Sequence, residues 1–174
     1  MSLNARCAAI RLMLSDVDGV LTDGGITFDD RGVEIKTFNI RDGLGIKLWQ
    51  VAGNEFGIVT GRASRALELR AGELGITILR QKIDDKWAAV REILANTKLA
   101  PENVCYLGDD LPDLPVIKNV GLGVAVADAA EEVRRAAAYV TSLPGGMGAV
   151  RETVEMILKS QRKWVGLIEK YVVV

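Results

Sequence analysis

The chain has 174 residues, 49% of them apolar, with 22 basic and 23 acidic side chains, a net charge of −1 and a mean hydropathy of +0.17. That balance suits one well-buried domain, residues 1–174, and supplies no strong field for nucleic acid or an anionic membrane surface. Zero histidines exclude Ser-His and Cys-His nucleophile pairs, imidazole zinc sites and the ordinary base of neutral pH.

Chemistry by such a chain must use carboxylates, lysine, hydroxyls or a hard metal ion, and paired aspartates are what Mg²⁺ takes, since it prefers oxygen ligands. Cys7 and Cys105 lie far apart and have no metal-ligand spacing, which reads as a reduced setting. No apolar run is long enough to span a bilayer, and the first residues lack a basic region followed by an apolar core. A cytoplasmic location follows as the expectation, with neither nucleic acid nor membrane as partner. The opening "MSLN" carries no assigned function.

In chain order, "AIRLMLSDV" reads as the first strand and ends on Asp16 and Asp18, two like charges at i and i+2 that need an offsetting partner. "GITFDDRGVEIKTFNI" then reads as a β-hairpin, about residues 24–40, turning at "DDRG". Asp42 is placed to cap a helix with Leu44, Leu48 and Val51 inward. "FGIVT" is a short strand. A helix from about Ser64 has Leu67, Ala71 and Leu74 on one stripe and Gly75 as its stop. There follow strand "ITIL", a helix around "DDKWAAVREILANT" with Trp87, Val90 and Leu94 inward, and strand "NVCYLGDD". A short helix, strand "GLGVAV", a helix near 129–138, strand "AYVT" and a last helix from about Gly148 with Val150, Val154 and Ile157 inward complete the chain.

This alternation predicts an α/β fold, a doubly wound, Rossmann-like, mostly parallel sheet with helices on both faces. Such sheets bind ligands at the carboxyl ends of their strands. Asp16, Asp18, Thr60, Asp109 and Asp110 all stand at such ends. Converging carboxylates without histidine suit Mg²⁺-assisted phosphoryl transfer through an aspartyl-phosphate. Asp16 is the candidate nucleophile, Mg²⁺ lies between Asp16 and Asp109, and Asp18 is the acid and then the base. Thr60 and Lys86 are candidates to hold the phosphoryl oxygens. Asp110 and Asp113 can cap the following helix, orient Lys86 and metal-bound water, or do both. Trp49, Trp87 and Trp164 read as core or interface, Asp23 as a turn residue, and Arg65 and Arg134 as surface.

"DVDGVLTDG", "VTGR", the isolated Lys86 and "GDDLPD", in that order, resemble the four motifs of the haloacid dehalogenase superfamily of phosphatases. "FNIRDGLGIK", "VTGRASRALELRAGELGI", "GDDLPDLPVI", "VGLGVAVADA" and "GGMGAVRE" extend the resemblance over nearly the whole chain, to the 3-deoxy-D-manno-octulosonate 8-phosphate phosphatases of lipopolysaccharide sugar synthesis. The resemblance implies a core without a cap domain that assembles as a homotetramer through its hairpins, a neighbour closing each site. It also implies metal ligation by Asp16, the backbone of Asp18 and Asp109. Substrate contacts would come from Asp18, Asn39, Ile40, Arg41, Asp42, Gly43, Lys47, Arg62, Arg70 and Lys86. Arg41, Lys47, Arg62 and Arg70 can equally be solvated helix-face charges; Arg62, two residues past a strand end, is the one best placed for an acidic substrate.

The spacing between motifs independently leaves no space for a cap, and Ile26, Phe28, Val33, Ile35 and Phe38 would expose apolar surface in a monomer. The sequence departs from the family pattern at Lys47 and Met147, where arginine is usual, and at Lys82, where glycine is. The tail "EKYVVV" suits either insertion into a neighbouring site or an ordinary buried terminus. Two alternatives are a phosphatase for a nine-carbon sugar acid 9-phosphate and a non-catalytic oligomerisation module. Arg62 speaks against the first and the intact acids against the second.

Overall fold

The run Leu12–Ser15 is buried at every position because it is the strand, β1, that lies inside a sheet covered on both faces. The structure is a computed structural model describing residues 1–172. Around β1 stand β4 (Glu55–Val59) and β5 (Ile78–Arg80) on one side, and β6 (Val104–Gly108), β7 (Leu122–Ala125) and β8 (Tyr139–Val140) on the other. The order is β5-β4-β1-β6-β7-β8, and every neighbouring pair is parallel, with Leu12 opposite Glu55 in β4 and Val104 in β6. The chain runs outward from β1 to β5, then returns to β1's other side as β6. The crevice for a ligand therefore opens at the carboxyl ends of β1, β4 and β6.

Between β1 and α2 (Ile40–Val51), β2 (Thr27–Phe28) and β3 (Glu34–Ile35) form a separate antiparallel arm. Its turn is held by Asp29, whose carboxylate accepts from the main-chain N–H of Arg31 (3.0 Å) and Val33 (2.8 Å). The remaining helices are α1 (Leu3–Ala9), α3 (Arg65–Leu74), α4 (Lys86–Thr97), α5 (Leu114–Asn119), α6 (Glu131–Ala136), α7 (Ala149–Ser160) and α8 (Trp164–Val172). Helix α7 packs against α2 and α1, while α4 packs against α5 and α5 against α6. The stripes expected on α3 and α7 are buried, and Gly75 ends α3 at φ 69°. Trp49 is wholly buried, and its indole N–H donates to the Glu55 carbonyl at 2.7 Å.

Several expectations need correction. The cap of α2 is Asn39, whose side-chain oxygen accepts from the Arg41 N–H at 2.8 Å, rather than Asp42. Asp42 is buried inside the first turn and accepts from the Arg151 N–H at 2.8 Å, tying α2 to the start of α7. Leu48 points inward, but Leu44 and Val51 are exposed. The face turned inward runs through Gly45, Ile46 and Trp49, because α7 approaches so closely that a Cβ on Gly45 would lie 3.1 Å from the Arg151 Cα. The first strand begins at Leu12, since Leu3–Ala9 is helix α1 capped by Ser2, and α8 is a further helix the periodicity did not reveal. In the tail Tyr171 and Val172 are exposed, against the buried-terminus reading; Val173 and Val174 lie outside the described residues.

Two backbone features bear on the cleft. The loop after β8 is pressed onto the loop after β1, so that a Cβ on Gly145 would fall 1.8 Å from the Gly19 carbonyl oxygen. Glu152, in the first turn of α7, holds that loop by accepting from the N–H groups of Ser142 (2.8 Å) and Leu143 (3.0 Å). Lys82 adopts φ 57°, the left-handed region that glycine enters without steric cost, which accounts for glycine being usual there. Lys82→Gly should therefore leave stability unchanged or raise it by up to about 1 kcal/mol, relief of strain exceeding the added chain entropy. A shift in the urea midpoint checks this, and a clear loss of stability would show that the Lys82 side chain makes a contact that matters.

Candidate active site

The strand ends deliver their residues to one cleft of about 450 Å³, lined by Asp16, Asp18, Thr60, Arg62, Lys86, Asp109, Asp110 and Asp113, with Gly24, Gly61, Ile83, Asp84 and Pro112 completing the wall. Asp16 follows β1, Thr60 follows β4, Asp109 follows β6 and Lys86 opens α4. These sources are distant in sequence, and the parallel register of β1 with β4 and β6 aligns them.

Lys86 is the fixed charge around which the carboxylates are arranged. Its buried ammonium donates to Asp16 Oδ2 at 2.6 Å and to Asp113 Oδ1 at 2.7 Å. Burial opposes its charge, but the Asp113 and Asp16 carboxylates outweigh burial and hold Lys86 above the ordinary lysine range. Asp113 is wholly buried and saturated. Its Oδ1 also accepts from the Tyr106 hydroxyl (2.6 Å), and its Oδ2 accepts from the N–H groups of Asp109 (3.0 Å) and Asp110 (3.3 Å). It orients Lys86 and the loop after β6. Asp110 instead caps the short turn Leu111–Asp113, accepting from the Leu111 N–H at 2.8 Å.

Asp16 and Asp109 have capacity left over. Oδ1 of each is buried and has no hydrogen-bond partner among the described residues. Leaving such oxygens bare is costly unless a cation meets them. Burial raises the Asp16 carboxyl despite Lys86 beside it. Burial, with the nearby Asp113 and Asp16 charges, pushes Asp109 up to about 7. Oxygens of Asp16, Asp109 and Asp113 lie within 4.8 Å of one another, but the four bonds on Asp113 leave Asp16 and Asp109 as the pair able to ligate a hard divalent cation. Gly19, at φ 85°, makes room for this, since a Cβ there would sit 2.0 Å from Asp109 Oδ2.

Thr60 is buried, and its hydroxyl oxygen accepts a long contact from the Arg62 N–H at 3.5 Å. Arg62 reaches over the cleft toward Asp18, with Nε 3.6 Å from Asp18 Oδ2. Two residues of the arm that sequence reasoning missed meet them. Glu34 accepts from Arg62 Nη2 at 2.6 Å, and Lys36 donates to Asp18 Oδ1. The only signal in the sequence was their i, i+2 spacing, which puts both on one face of the arm. Tyr106 and Asp84 were also missed, the first lying in the strand "NVCYLGDD" and the second at the head of the expected helix "DDKWAAVREILANT".

Asn39, Asp42, Gly43 and Arg70 do not line the cleft. They surround a small separate cavity between α2 and α3, where the Arg70 guanidinium lies so near Gly43 that a Cβ there would be 2.3 Å from Nη2. Asn39 donates to the Gly146 carbonyl at 3.0 Å. Ile40, Arg41 and Lys47 are exposed on α2, and Met147 is exposed on its loop. Asp23 is a turn residue, accepting from the Gly25 N–H at 2.9 Å.

The haloacid dehalogenase-like hydrolase family model matches residues 72–145. The 3-deoxy-D-manno-octulosonate 8-phosphate phosphatase KdsC of Yersinia pestis is 49% identical over 161 residues, 92% of this chain and 86% of its own length. Among solved structures, a probable YrbI family phosphatase from Pseudomonas syringae pv. phaseolica superposes with a TM-score of 0.97 at 48% identity, covering 99% of this chain and 98% of that one. The 3-deoxy-D-manno-octulosonate 8-phosphate phosphatase of Moraxella catarrhalis, solved with magnesium, phosphate and KDO, superposes with a TM-score of 0.95 at 38% identity over 97% of both chains. At nearly half identity over nine-tenths of its length, this chain belongs to the 3-deoxy-D-manno-octulosonate 8-phosphate phosphatase family of haloacid dehalogenase-like hydrolases.

Proposed function

We infer that this protein is a Mg²⁺-dependent phosphatase hydrolysing 3-deoxy-D-manno-octulosonate 8-phosphate to the free sugar acid and inorganic phosphate. The observation that carries the reading is the pair of buried carboxylates, Asp16 and Asp109, each with an unpartnered oxygen, beside the Lys86 ammonium. The substrate is that of relatives nearly half identical to this chain.

Asp16 attacks phosphorus as the bond to the sugar oxygen breaks, and Asp18 gives that oxygen its proton. Asp18, now a carboxylate, takes a proton from the water that attacks the aspartyl-phosphate, which returns Asp16 and releases phosphate. Lys86 and the Thr60 hydroxyl hold the phosphoryl oxygens. Asp16, Asp109 and the main-chain carbonyl of Asp18 would hold Mg²⁺, which when bound supplies positive charge to the phosphoryl oxygens. Arg62 binds the acidic sugar.

The arm supports assembly. Ile26 (54% exposed) and Phe28 (57%) share one of its faces, and Val33 (55%) and Ile35 (51%) share the other. A two-stranded ribbon apolar on both faces is not stable in water alone, and a homotetramer built through the arms covers it. Phe38 differs, packing against the core. In such an assembly Asn39–Gly43, Lys47 and Arg70, which lie off their own cleft, would serve a neighbour's. One hydrophobic core supports reading the chain as a single phosphatase domain. No described helix is long and apolar enough to cross a membrane; the cytoplasm is the location that fits action on a dissolved sugar phosphate.

Phosphate release with Mg²⁺ should be fastest on the eight-carbon acid when it is compared with nine-carbon sugar acid 9-phosphates and neutral hexose phosphates. Asp16→Asn should abolish turnover, and Asp18→Asn should slow it by about 10²- to 10⁴-fold. Preference for the nine-carbon acid would move the substrate, and an active Asp16→Asn would remove the nucleophile. Phe28→Asp combined with Ile35→Asp should reduce the sedimenting species from tetramer to monomer or dimer; a parent that sediments as a monomer would end the assembly reading.

Asp109 makes metal binding depend on pH. With its pKa near 7, a proton competes with the cation below that value, so Mg²⁺ affinity should fall by up to about tenfold per pH unit below 7. The sign for stability is opposite in the metal-free protein. A carboxyl raised by folding stabilises while protonated, and that contribution is lost as pH rises from the ordinary carboxylate range through about 7. Calorimetric titration and melting with and without Mg²⁺ should therefore show a shift in melting temperature that grows from pH 6 to pH 8. A shift independent of pH would mean that Asp109 is not a ligand.

A further inference from the structure

The Asp18 carboxylate is held by a side chain that the sheet does not supply. Lys36 follows β3 on the arm, donates to Asp18 Oδ1 and lies 3.5 Å from Glu34 Oε1, with only 3% of its side chain exposed. An ammonium withdrawn from water to that degree is costly unless it is firmly paired, and its two acidic partners are Asp18 and Glu34. The other oxygen of Asp18 is held weakly. Arg62 Nε stands 3.6 Å from Oδ2, outside hydrogen-bond range, on a side chain that is 46% exposed and bonded instead to Glu34 at 2.6 Å. The carboxylate thus has one clamped oxygen and one left open to the cleft it lines.

We propose that Lys36 is a positioning residue for Asp18, fixing its rotamer through Oδ1 so that Oδ2 is the atom that passes the proton to the leaving oxygen and takes it from water. This rests on the acid and base role of Asp18. Lys36 is not one of the residues lining the cleft, and its ammonium is turned to Asp18 and Glu34. Its effect on turnover therefore passes through Asp18. Glu34 completes the device, its Oε1 lying 3.5 Å from the Lys36 ammonium and 2.6 Å from Arg62 Nη2, so the arm meets both cleft residues.

The test is a double-mutant cycle on the full-length enzyme, with kcat and KM measured for the eight-carbon sugar phosphate. Lys36→Met keeps the alkyl stem and removes the charge; Lys36→Gln is a second neutral variant should the first not fold, and Lys36→Arg is the conservative one. Sedimentation at the parent's value shows that the arm is still seated. The expected result is a fall in kcat of about 10- to 100-fold in Lys36→Met, part of the 10²–10⁴ that an acid/base group supplies, with KM within about threefold. Lys36→Arg should recover most of the loss, and in an Asp18→Asn background Lys36→Met should change kcat by less than about twofold. A rise in KM with kcat intact would make Lys36 a substrate ligand and overturn the proposal. An equal fall in kcat in the Asp18→Asn background would also overturn it, since Lys36 would then act independently of Asp18. If Asp18→Asn is slow and Lys36→Met is not, the proposal fails while the mechanism stands; if Asp18→Asn is not slow, both fail.

Discussion

The Lys86 ammonium, held between Asp16 and Asp113, is the interaction on which the arrangement of the cleft depends. Three carboxylates with oxygens inside 4.8 Å would repel one another strongly in so buried a place. The lysine offsets part of that repulsion and fixes which part remains. Asp113 gives all its bonding to Lys86, Tyr106 and the two N–H groups after β6, so it is spent on structure. Asp16 keeps one oxygen bare, and Asp109, which does not touch the lysine, is left partly protonated near neutral pH. The negative charge that the lysine does not offset lies on Asp16 and Asp109, the pair placed to ligate a hard divalent cation.

Around this centre the packing is unusually close at a few glycines because two loops must share one edge of the sheet. Gly145 presses against the carbonyl of Gly19, and Gly19 itself leaves space for Asp109. The loop that bears Asp18 is thus supported from behind by the loop after β8, which Glu152 holds to the start of α7. Rigid elements therefore determine where the acid stands, and the arm determines how its carboxylate is turned. The two forms of control are physically different: the first follows from the core, whereas the second depends on a ribbon with little burial of its own.

Much of this was legible in the sequence. The alternation of strand and helix, the absence of histidine and the placement of Asp16, Asp18, Thr60, Lys86 and Asp109 after strands or at a helix start follow from local patterns, since burial on both faces demands continuous apolar strands. The hairpin was legible from a different local signal, its turn being written in Asp29 and Gly32. The inward face of α2 was not. Leu44 and Val51 obey a helical period, but glycine is invisible to a count of apolar residues, and the approach of α7 over Gly45 turned the helix away from them.

What the sequence by itself determined is the chemistry available: hard-metal carboxylates and a threonine at strand ends of a parallel sheet and a lysine at a helix start, with no imidazole. Those features are properties of residue type and local period. Only the tertiary structure decided how the acids divide their work, because bonding saturates Asp113 and leaves oxygens of Asp16 and Asp109 bare. It also decided that Lys36 and Glu34 bond to the cleft residues Asp18 and Arg62, and that Asp42 and Arg70 lie away from the cleft. Contacts between segments far apart in the chain set those outcomes, and no local pattern encodes which charge meets which.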